Sequence, residues 1–404
     1  MDTFKKVILR GTTGSLGVCI AYAIARAVGA YLSLCAIAII PRYELGLLAV
    51  CYSGLWWVSI VTAGTVRTAL IARSIGDPVR AALYDDQARL LWHLCAAGAI
   101  ITALIVGQIG YCRAPLLGAL LWCYVGALWS DWFFAASARA HDTSHQSRLF
   151  YGGALLQLLV AHFCVPAFGL IGALYAQGAF YWGAVVAHGH YQAFLPRRCS
   201  LYDLLMSWYA SFSYMPGLLY SWMTASATRM ILLMVYGAGA VGVWAAIELL
   251  ISPVITATST LLTLLYLPRL LRGDFGTCYP AEHPLCIIFL GGACALLAHS
   301  AGASLEISCA IMYTAVLIAS MAMALWAYRA AAAFYERAIP FVFAVCQTVV
   351  AAVVWSHGTA LGVLVGQTVV LLIGMIVYGF CIGARVCDSS IYSVLRCRAL
   401  RICD

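Results

Sequence analysis

Four ionisable side chains fall inside long apolar runs of the sequence: Arg26, Asp131, Arg229 and Glu248. Arg26, in AYAIARAVGAY, lies near the middle of the apolar run 11–40. A charge at the centre of an isolated membrane helix costs about 2.5–3.5 kcal/mol on insertion scales, so such residues face a protein interior or a wet cleft. An arginine there can form bidentate, charge-assisted hydrogen bonds with the oxygens of a phosphate or carboxylate.

The elements that must position these residues are membrane-spanning helices. Of the 404 residues 64% are hydrophobic and 9% are charged, with a mean hydropathy of +0.94, whereas a soluble domain has about 25% charged residues. A span needs roughly 20 apolar residues. The sequence therefore predicts an all-α integral membrane protein with about twelve transmembrane helices, at approximately 12–40, 45–66, 90–111, 114–138, 149–167, 168–192, 204–235, 238–267, 284–299, 305–328, 338–356 and 359–383.

The net charge is +8, and the distribution of the positive residues along the chain predicts the orientation of the protein in the membrane rather than a nucleic-acid partner. With twelve spans and a cytoplasmic N-terminus, the outer connections contain only Arg42 and Arg113 among the lysines and arginines, and almost all the others fall on the inner side. This asymmetry indicates that both termini are cytoplasmic. The seventeen cysteines form no C-x-x-C pair and the nine histidines show no metal-ligand spacing, so we expect no metal site.

Two similar segments predict an internal repeat. IIPRYELGLLAVCY (39–52) and VYGAGAVGVWAAIE (235–248) each turn outside the membrane and enter the next span at a glycine, Gly46 or Gly242, 196 residues apart. Six spans precede the midpoint and six follow, which favours two parallel six-helix lobes, 1–198 and 199–404.

The repeat also relates the two arginines. At this offset Arg229 corresponds to Ser33, two helical turns after Arg26, so the arginines occupy one face of equivalent helices at different heights. We expect both guanidinium groups to face a central cleft. The alternative is a structural ion pair, for instance of Arg229 with Glu248.

Prolines interrupt several of the predicted helices, and one of them, Pro166, closes the fifth span. Pro216 and Gly217 lie in the seventh predicted span and Pro253 in the eighth. Because proline removes a backbone hydrogen bond and kinks a helix, these residues are candidate hinges for rocking between two states. A tolerated kink without motion is the other interpretation.

Three stretches carry a family resemblance: PRYELGLLAVCYSGLWWVSIVTAGTVRTALIAR (41–73), DWFFAASARAHDTSHQSRL (131–149) and SFSYMPGLLYSWMTASATRMILLMVYGAGAVGVWAAIELLISP (211–253), followed by YLPRLL (266–271). They resemble the Wzx-type flippases of lipid-linked oligosaccharides, in the superfamily that also includes the MATE multidrug extruders (the MOP superfamily). Where that family often has Gln-Gly-x-Glu-Lys, this chain has Ala135–Arg139, so those roles are not carried over.

The resemblance implies a flippase without enzymatic activity or a cofactor. It would move an undecaprenyl-diphosphate-linked glycan from the cytoplasmic to the periplasmic leaflet of the bacterial inner membrane, for O-antigen or similar polysaccharides. Arg26 and Arg229 would contact the diphosphate or acidic sugars, and Tyr22 and Trp222 would complete the binding site. Glu248 and Asp131 would carry protons in a cycle coupled to a proton or sodium gradient, or would only balance the arginines. We expect a monomer that works beside polysaccharide assembly proteins in the lipid bilayer.

Two other classes of function remain open. A multidrug or small-molecule antiporter of the same fold would normally need an acidic cation site in the N-terminal lobe, where this sequence has Arg26. A membrane polymerase or ligase would need a large outer loop or an acidic cluster at the first outer turn, where Glu44 is the sole acid.

Overall fold

The structure is a computed structural model. It describes residues 2–64, 78–109, 113–139, 143–189, 200–211, 228–249, 282–302, 304–330 and 361–377, together with the single positions 215, 222, 226, 251, 345, 346, 349 and 353. Throughout these ranges the chain is helical apart from short turns, with no strand. The prediction of an all-α architecture is confirmed for this part of the chain.

The described helices are labelled α1 to α11 in chain order. Their bounds are α1 Asp2–Ile39, α2 Arg42–Ser59 (continued by a π-helical turn, Ile60–Gly64), α3 Pro78–Gln108, α4 Ala114–Arg139, α5 Thr143–His188, α6 Leu201–Ser211, α7 Thr228–Tyr236, α8 Ala238–Leu249, α9 Glu282–Ser300, α10 Leu305–Ala330 and α11 Leu361–Val377.

Within the described residues, five helical segments are long and apolar enough to cross a membrane: Ile20–Ile39, Arg42–Thr62, Asp86–Gln108, Ala114–Phe134 and Ser144–His188. Shorter apolar helices are Ala238–Leu249, Ile287–Ser300, Ile307–Ala319 and Leu361–Val377. They fall in the order that the sequence predicts and mark a multi-pass membrane protein. The total of twelve spans, the orientation and the lobe boundary stay predictions.

α5 contains two of the predicted spans, joined at a sharp kink. Pro166 lies just before the kink, and Gly169 at its centre has φ 53° and ψ −123°. Glycine is the residue that adopts this backbone conformation without a steric penalty. The two halves then pack as a hairpin, in which a Cβ at Gly152 would lie 2.7 Å from the carbonyl oxygen of Gly183. Small residues allow such close approach between membrane helices.

Two compact units divide the chain. The first comprises Met1–Trp222 with Leu232–Pro253, and the second Met223–Ile231 with Val254–Asp404. In the first unit α1 and α4 each pack along α5, and α3 packs along α4. Its largest described core cluster is rich in aromatic residues, among them Trp92, Trp129, Trp132 and Phe133. In the second unit α9 packs along α10, with Gly291 directly against Ala315.

Candidate functional site around Arg26

Arg26 lies on α1 among aromatic side chains of the first unit. Its guanidinium carbon is 4.9 Å from the centroid of the Tyr22 ring, one helical turn earlier. Tyr22 is itself buried and meets Phe150 of α5 edge-on, with 5.2 Å between ring centroids. The Nε atom of Arg26 is buried and has no hydrogen-bond partner among the residues that the structure describes. Arg26 therefore has hydrogen-bonding capacity available inside the helix bundle.

Tyr181 lies near both Arg26 and Asp131. It lies in the second half of α5, within electrostatic range of the Arg26 guanidinium from α1 and of the Asp131 carboxylate from α4. Asp131 and Arg26 are both half-buried. Two residues that the sequence predicts as site residues thus lie near one tyrosine that the sequence analysis did not select.

Two glutamines extend this polar interior. The Nε2 atom of Gln177 donates to the Tyr181 hydroxyl at 3.2 Å, and the Nε2 atom of Gln157 donates to Oε1 of Gln177 at 3.3 Å. Gln157 is on the first half of α5 and is almost fully buried. The resulting polar chain, Gln157–Gln177–Tyr181, links the two halves of α5 and ends at the tyrosine near the two charged residues.

The arrangement offers distinct groups to a ligand. Arg26 supplies a permanent positive charge, held over an aromatic ring, and can form charge-assisted hydrogen bonds with an anion. Asp131 supplies a carboxylate that can accept a proton. No group of three or more potential metal ligands occurs among the described residues.

Arg229 belongs to the second unit, as the second residue of α7. The preceding Thr228 is buried and its hydroxyl oxygen accepts a hydrogen bond of 2.9 Å from Nε2 of Gln367 on α11. Oε1 of Gln367 is buried with no hydrogen-bond partner in the described part of the chain. A buried polar pair therefore fixes the start of the helix that carries Arg229.

The remaining predicted site residues lie elsewhere. Glu248 is half-buried near the end of α8. The indole Nε1 of Trp222 donates to the backbone oxygen of Ser53 at 2.9 Å, and its ring lies 4.9 Å from the ring of Trp57. The predicted hinges Pro216, Gly217 and Pro253 fall outside the described residues. The roles of these residues in binding, coupling and motion stay predictions.

The sequence analysis missed Gln157, Gln177 and Tyr181. A signal for two of them was present, because Gln177 and Tyr181 stand four residues apart and so share one helix face. Glutamine inside an apolar span is also a polar group that needs a partner. The partner of Gln157 lies twenty residues further on, beyond a kink, and no local spacing reveals that contact.

Comparison with solved structures identifies the architecture. The outward-facing conformation of a multidrug resistance MATE family transporter of the MOP superfamily superposes with a TM-score of 0.60 at 15% identity, covering 94% of this chain and 96% of that chain. MATE in the bent conformation gives a TM-score of 0.55 at 15% identity, covering 94% and 97%. This chain has the MATE transporter fold.

A third similar structure is a MOP superfamily transporter from Pyrococcus furiosus, with a TM-score of 0.56 at 15% identity over 93% of this chain and 96% of that chain. It is described by the reverse polarity of its binding pocket, which suggests a different function for that protein. No protein-family profile and no curated protein matches the sequence of this chain.

Proposed function

We propose that this chain is a flippase that moves undecaprenyl-diphosphate-linked oligosaccharide units from the cytoplasmic to the periplasmic leaflet of the bacterial inner membrane by alternating access. The MATE fold supports a transport function, and the resemblance of residues 41–73, 131–149 and 211–253 to Wzx-type proteins supports this substrate class. Transport moves the head group across the membrane without breaking a covalent bond, so the proposal includes no enzymatic step.

The observation that carries the proposal is the state of Arg26. Its Nε is buried without a hydrogen-bond partner among the described residues, and its guanidinium group lies over the Tyr22 ring. Leaving a buried polar group unpaired costs about 1–3 kcal/mol. A diphosphate would satisfy this N–H in a bidentate, charge-assisted geometry that also uses a terminal guanidinium nitrogen. In the proposal Tyr22 orients Arg26, while Arg229 contacts the head group at a later stage of transport.

Undecaprenyl diphosphate without sugars is the probe that tests this role. Wild-type protein, Arg26→Lys, Arg26→Ala and the control Arg113→Ala would be purified in lipid-like detergent and titrated with the probe by native mass spectrometry. Arg113 is exposed at the start of α4. We expect Arg26→Ala to weaken binding at least tenfold, which corresponds to about 1.4 kcal/mol. Arg26→Lys should bind with intermediate affinity, because lysine keeps the charge without the fork of donors.

Equal binding by wild type and Arg26→Ala, at equal thermal stability, would refute this role of Arg26. A cellular assay then tests transport itself. Arg26→Ala should abolish surface polysaccharide in a strain that lacks the native gene, whereas Arg113→Ala should leave it unchanged. Membrane expression of each variant is measured in the same cells.

A second candidate function is a cation-coupled antiporter of small molecules. Asp131 favours it, because its carboxylate lies in the same polar interior as Tyr181, where a proton or sodium ion could bind. Such a protein would export lipophilic cations, and Asp131→Asn would stop that export. Export of tetraphenylphosphonium by wild-type vesicles, combined with no binding of undecaprenyl diphosphate, would favour this second function.

A further inference from the structure

Helices α2 and α8 cross with their backbones in direct contact. A Cβ added to Gly46 would collide with the carbonyl oxygen of Ala238 and lie 2.9 Å from the amide nitrogen of Gly242. A Cβ added to Gly242 would collide with the carbonyl oxygen of Arg42. All four residues belong to the first compact unit. Neither glycine position has room for a side chain, so the two helices meet over their main chains.

The crossing is reciprocal. Gly46 of α2 meets the carbonyl group of Ala238, and Gly242 of α8 meets the carbonyl group of Arg42. Gly46 and Gly242 are 196 residues apart, and Arg42 and Ala238 are separated by the same distance in sequence. Each helix therefore presents the same pair of repeat positions to the other, as in a contact across a two-fold axis. Such an axis along the membrane normal relates parallel transporter repeats.

A second contact lies two helical turns further along α2. Ser53 comes seven residues after Gly46, about 10 Å along the helix axis, and its backbone oxygen accepts the hydrogen bond from Trp222. Ser53 is only 1% exposed. Trp57, one turn beyond, packs its ring against that of Trp222. The segment from Arg42 to Trp57 is thus contacted by α8 near its start and by Trp222 at Ser53 and Trp57.

We propose that the crossing of α2 and α8 at Gly46 and Gly242 is the closed outer gate of the transport pathway, with the Trp222–Ser53 hydrogen bond as a second closing contact below it. This inference rests on the proposed transport function and on the predicted orientation, in which α2 and α8 both begin at the outer surface. Transport by alternating access requires that the outer ends of these helices separate in one state.

The chemistry of the crossing suits a contact that must open and close. Contacts between glycine and carbonyl groups across a helix interface are weak, about 0.5–1 kcal/mol each. Because no side chains interlock at the two glycines, the helices can part without rotamer changes there. A gate whose two states differ by a few kcal/mol can be shifted by a ligand that binds one of them better.

The test measures access to position 53 from the outer side. In a Ser53→Cys background, intact cells are exposed to a membrane-impermeant thiol reagent, and labelling at residue 53 is quantified by peptide mass spectrometry. We expect slow labelling in this background and a several-fold increase when Gly46→Ala or Gly242→Ala is added, because the extra methyl group forces the helices apart. Gly239→Ala on α8 and Gly29→Ala on α1 are matched controls, since a Cβ at either position has open space around it.

Labelling of Gly46→Ala and Gly242→Ala at control rates, in protein that folds, would overturn the gate. So would an increase that appears only when the reagent is applied to the cytoplasmic side. Trp222→Phe is the second variant, which removes one hydrogen bond and keeps a ring. It should also raise labelling, and if the alanine variants fail to fold, an unchanged rate in Trp222→Phe overturns the proposal.

The labelling assay needs no substrate, so its outcome is separate from that of the proposed function. Faster labelling in the glycine variants, in a protein that does not bind undecaprenyl diphosphate, would support the gate and contradict the flippase. Normal binding with unchanged labelling would contradict the gate alone.

Discussion

The ring of Tyr22 lies 4.9 Å from the guanidinium carbon of Arg26, one helical turn away on the same face of α1. The face of an aromatic ring attracts a cation by about 0.5–2 kcal/mol, more when the pair is shielded from water. Tyr22 is buried, and its ring meets the ring of Phe150 edge-on. The charge of Arg26 is therefore positioned by an aromatic support that is fixed by helix packing.

Replacing Tyr22 tests this support. Tyr22→Phe keeps the ring and should bind undecaprenyl diphosphate within about twofold of wild type. Tyr22→Leu keeps much of the buried volume but removes the aromatic face, so we expect binding to weaken about three- to tenfold, in line with about 0.5–1.5 kcal/mol of lost interaction. Native mass spectrometry measures both. Equal affinities for the two variants would contradict a role of the ring in positioning Arg26.

Gln177 is the central member of the polar chain. Gln177→Leu leaves the side-chain amide of Gln157 and the hydroxyl of Tyr181 without the hydrogen bonds that they now share with Gln177. We expect it to lower the free energy of unfolding in detergent by about 1–2 kcal/mol, because buried polar groups left unpaired cost about 1–3 kcal/mol. Denaturation in mixed detergent micelles, followed by circular dichroism, measures the change.

A double-mutant cycle is the control for this prediction. Gln157→Leu together with Gln177→Leu removes both members of one hydrogen bond and should cost less than the sum of the two single changes. Strict additivity would indicate that the 3.3 Å contact between the two amides contributes nothing to stability.

The sequence was sufficient to predict an all-helical membrane fold and to select the charged residues within its spans. Apolar runs separated by short connections predict membrane helices, and five of the described segments meet that expectation. Arg26 and Asp131 could be selected because a charge is costly in an apolar span. The similarity of the segments around Gly46 and Gly242 was also visible in the sequence. The sequence did not show that these two segments contact each other.

Contacts between helices could not be predicted in the same way. Helices surrounded by lipid are apolar on every face, so the periodicity that marks the buried side of a soluble helix is weak here. The meeting of Tyr181 with Arg26 and Asp131 depends on how three helices rotate against one another. The donation from Trp222 to a backbone oxygen of α2 joins residues 169 positions apart, and sequence spacing contains no information about it.

Gly169 is predicted to be intolerant of substitution. Its φ of 53° with ψ of −123° is accessible to glycine and strained for other residues. Gly169→Ala should lower the free energy of unfolding by about 1–3 kcal/mol, the usual cost of a residue held in such a conformation. Gly98→Ala on α3 is the control, because Gly98 lies within a regular helix and a Cβ there has open space. The prediction fails if the two variants unfold at the same detergent concentration.

Substitution of Trp222 distinguishes a role of its ring in ligand binding from a role in holding α2. If its ring stacks on sugars of the substrate, Trp222→Ala should weaken binding of a glycosylated lipid diphosphate about tenfold, which corresponds to about 1.4 kcal/mol. The same substitution should not change the binding of undecaprenyl diphosphate that carries no sugars. If Trp222 instead serves to hold α2 through Ser53 and Trp57, both ligands should respond equally.

We expect the second result, because the indole N–H is already bonded to the chain and the ring already packs against another indole. Binding of the two lipids would be compared by native mass spectrometry for wild type, Trp222→Phe and Trp222→Ala. A loss confined to the glycosylated lipid would assign Trp222 to the substrate. In that case Trp222 would have to leave Ser53 when the substrate binds, and labelling of position 53 should rise with substrate concentration.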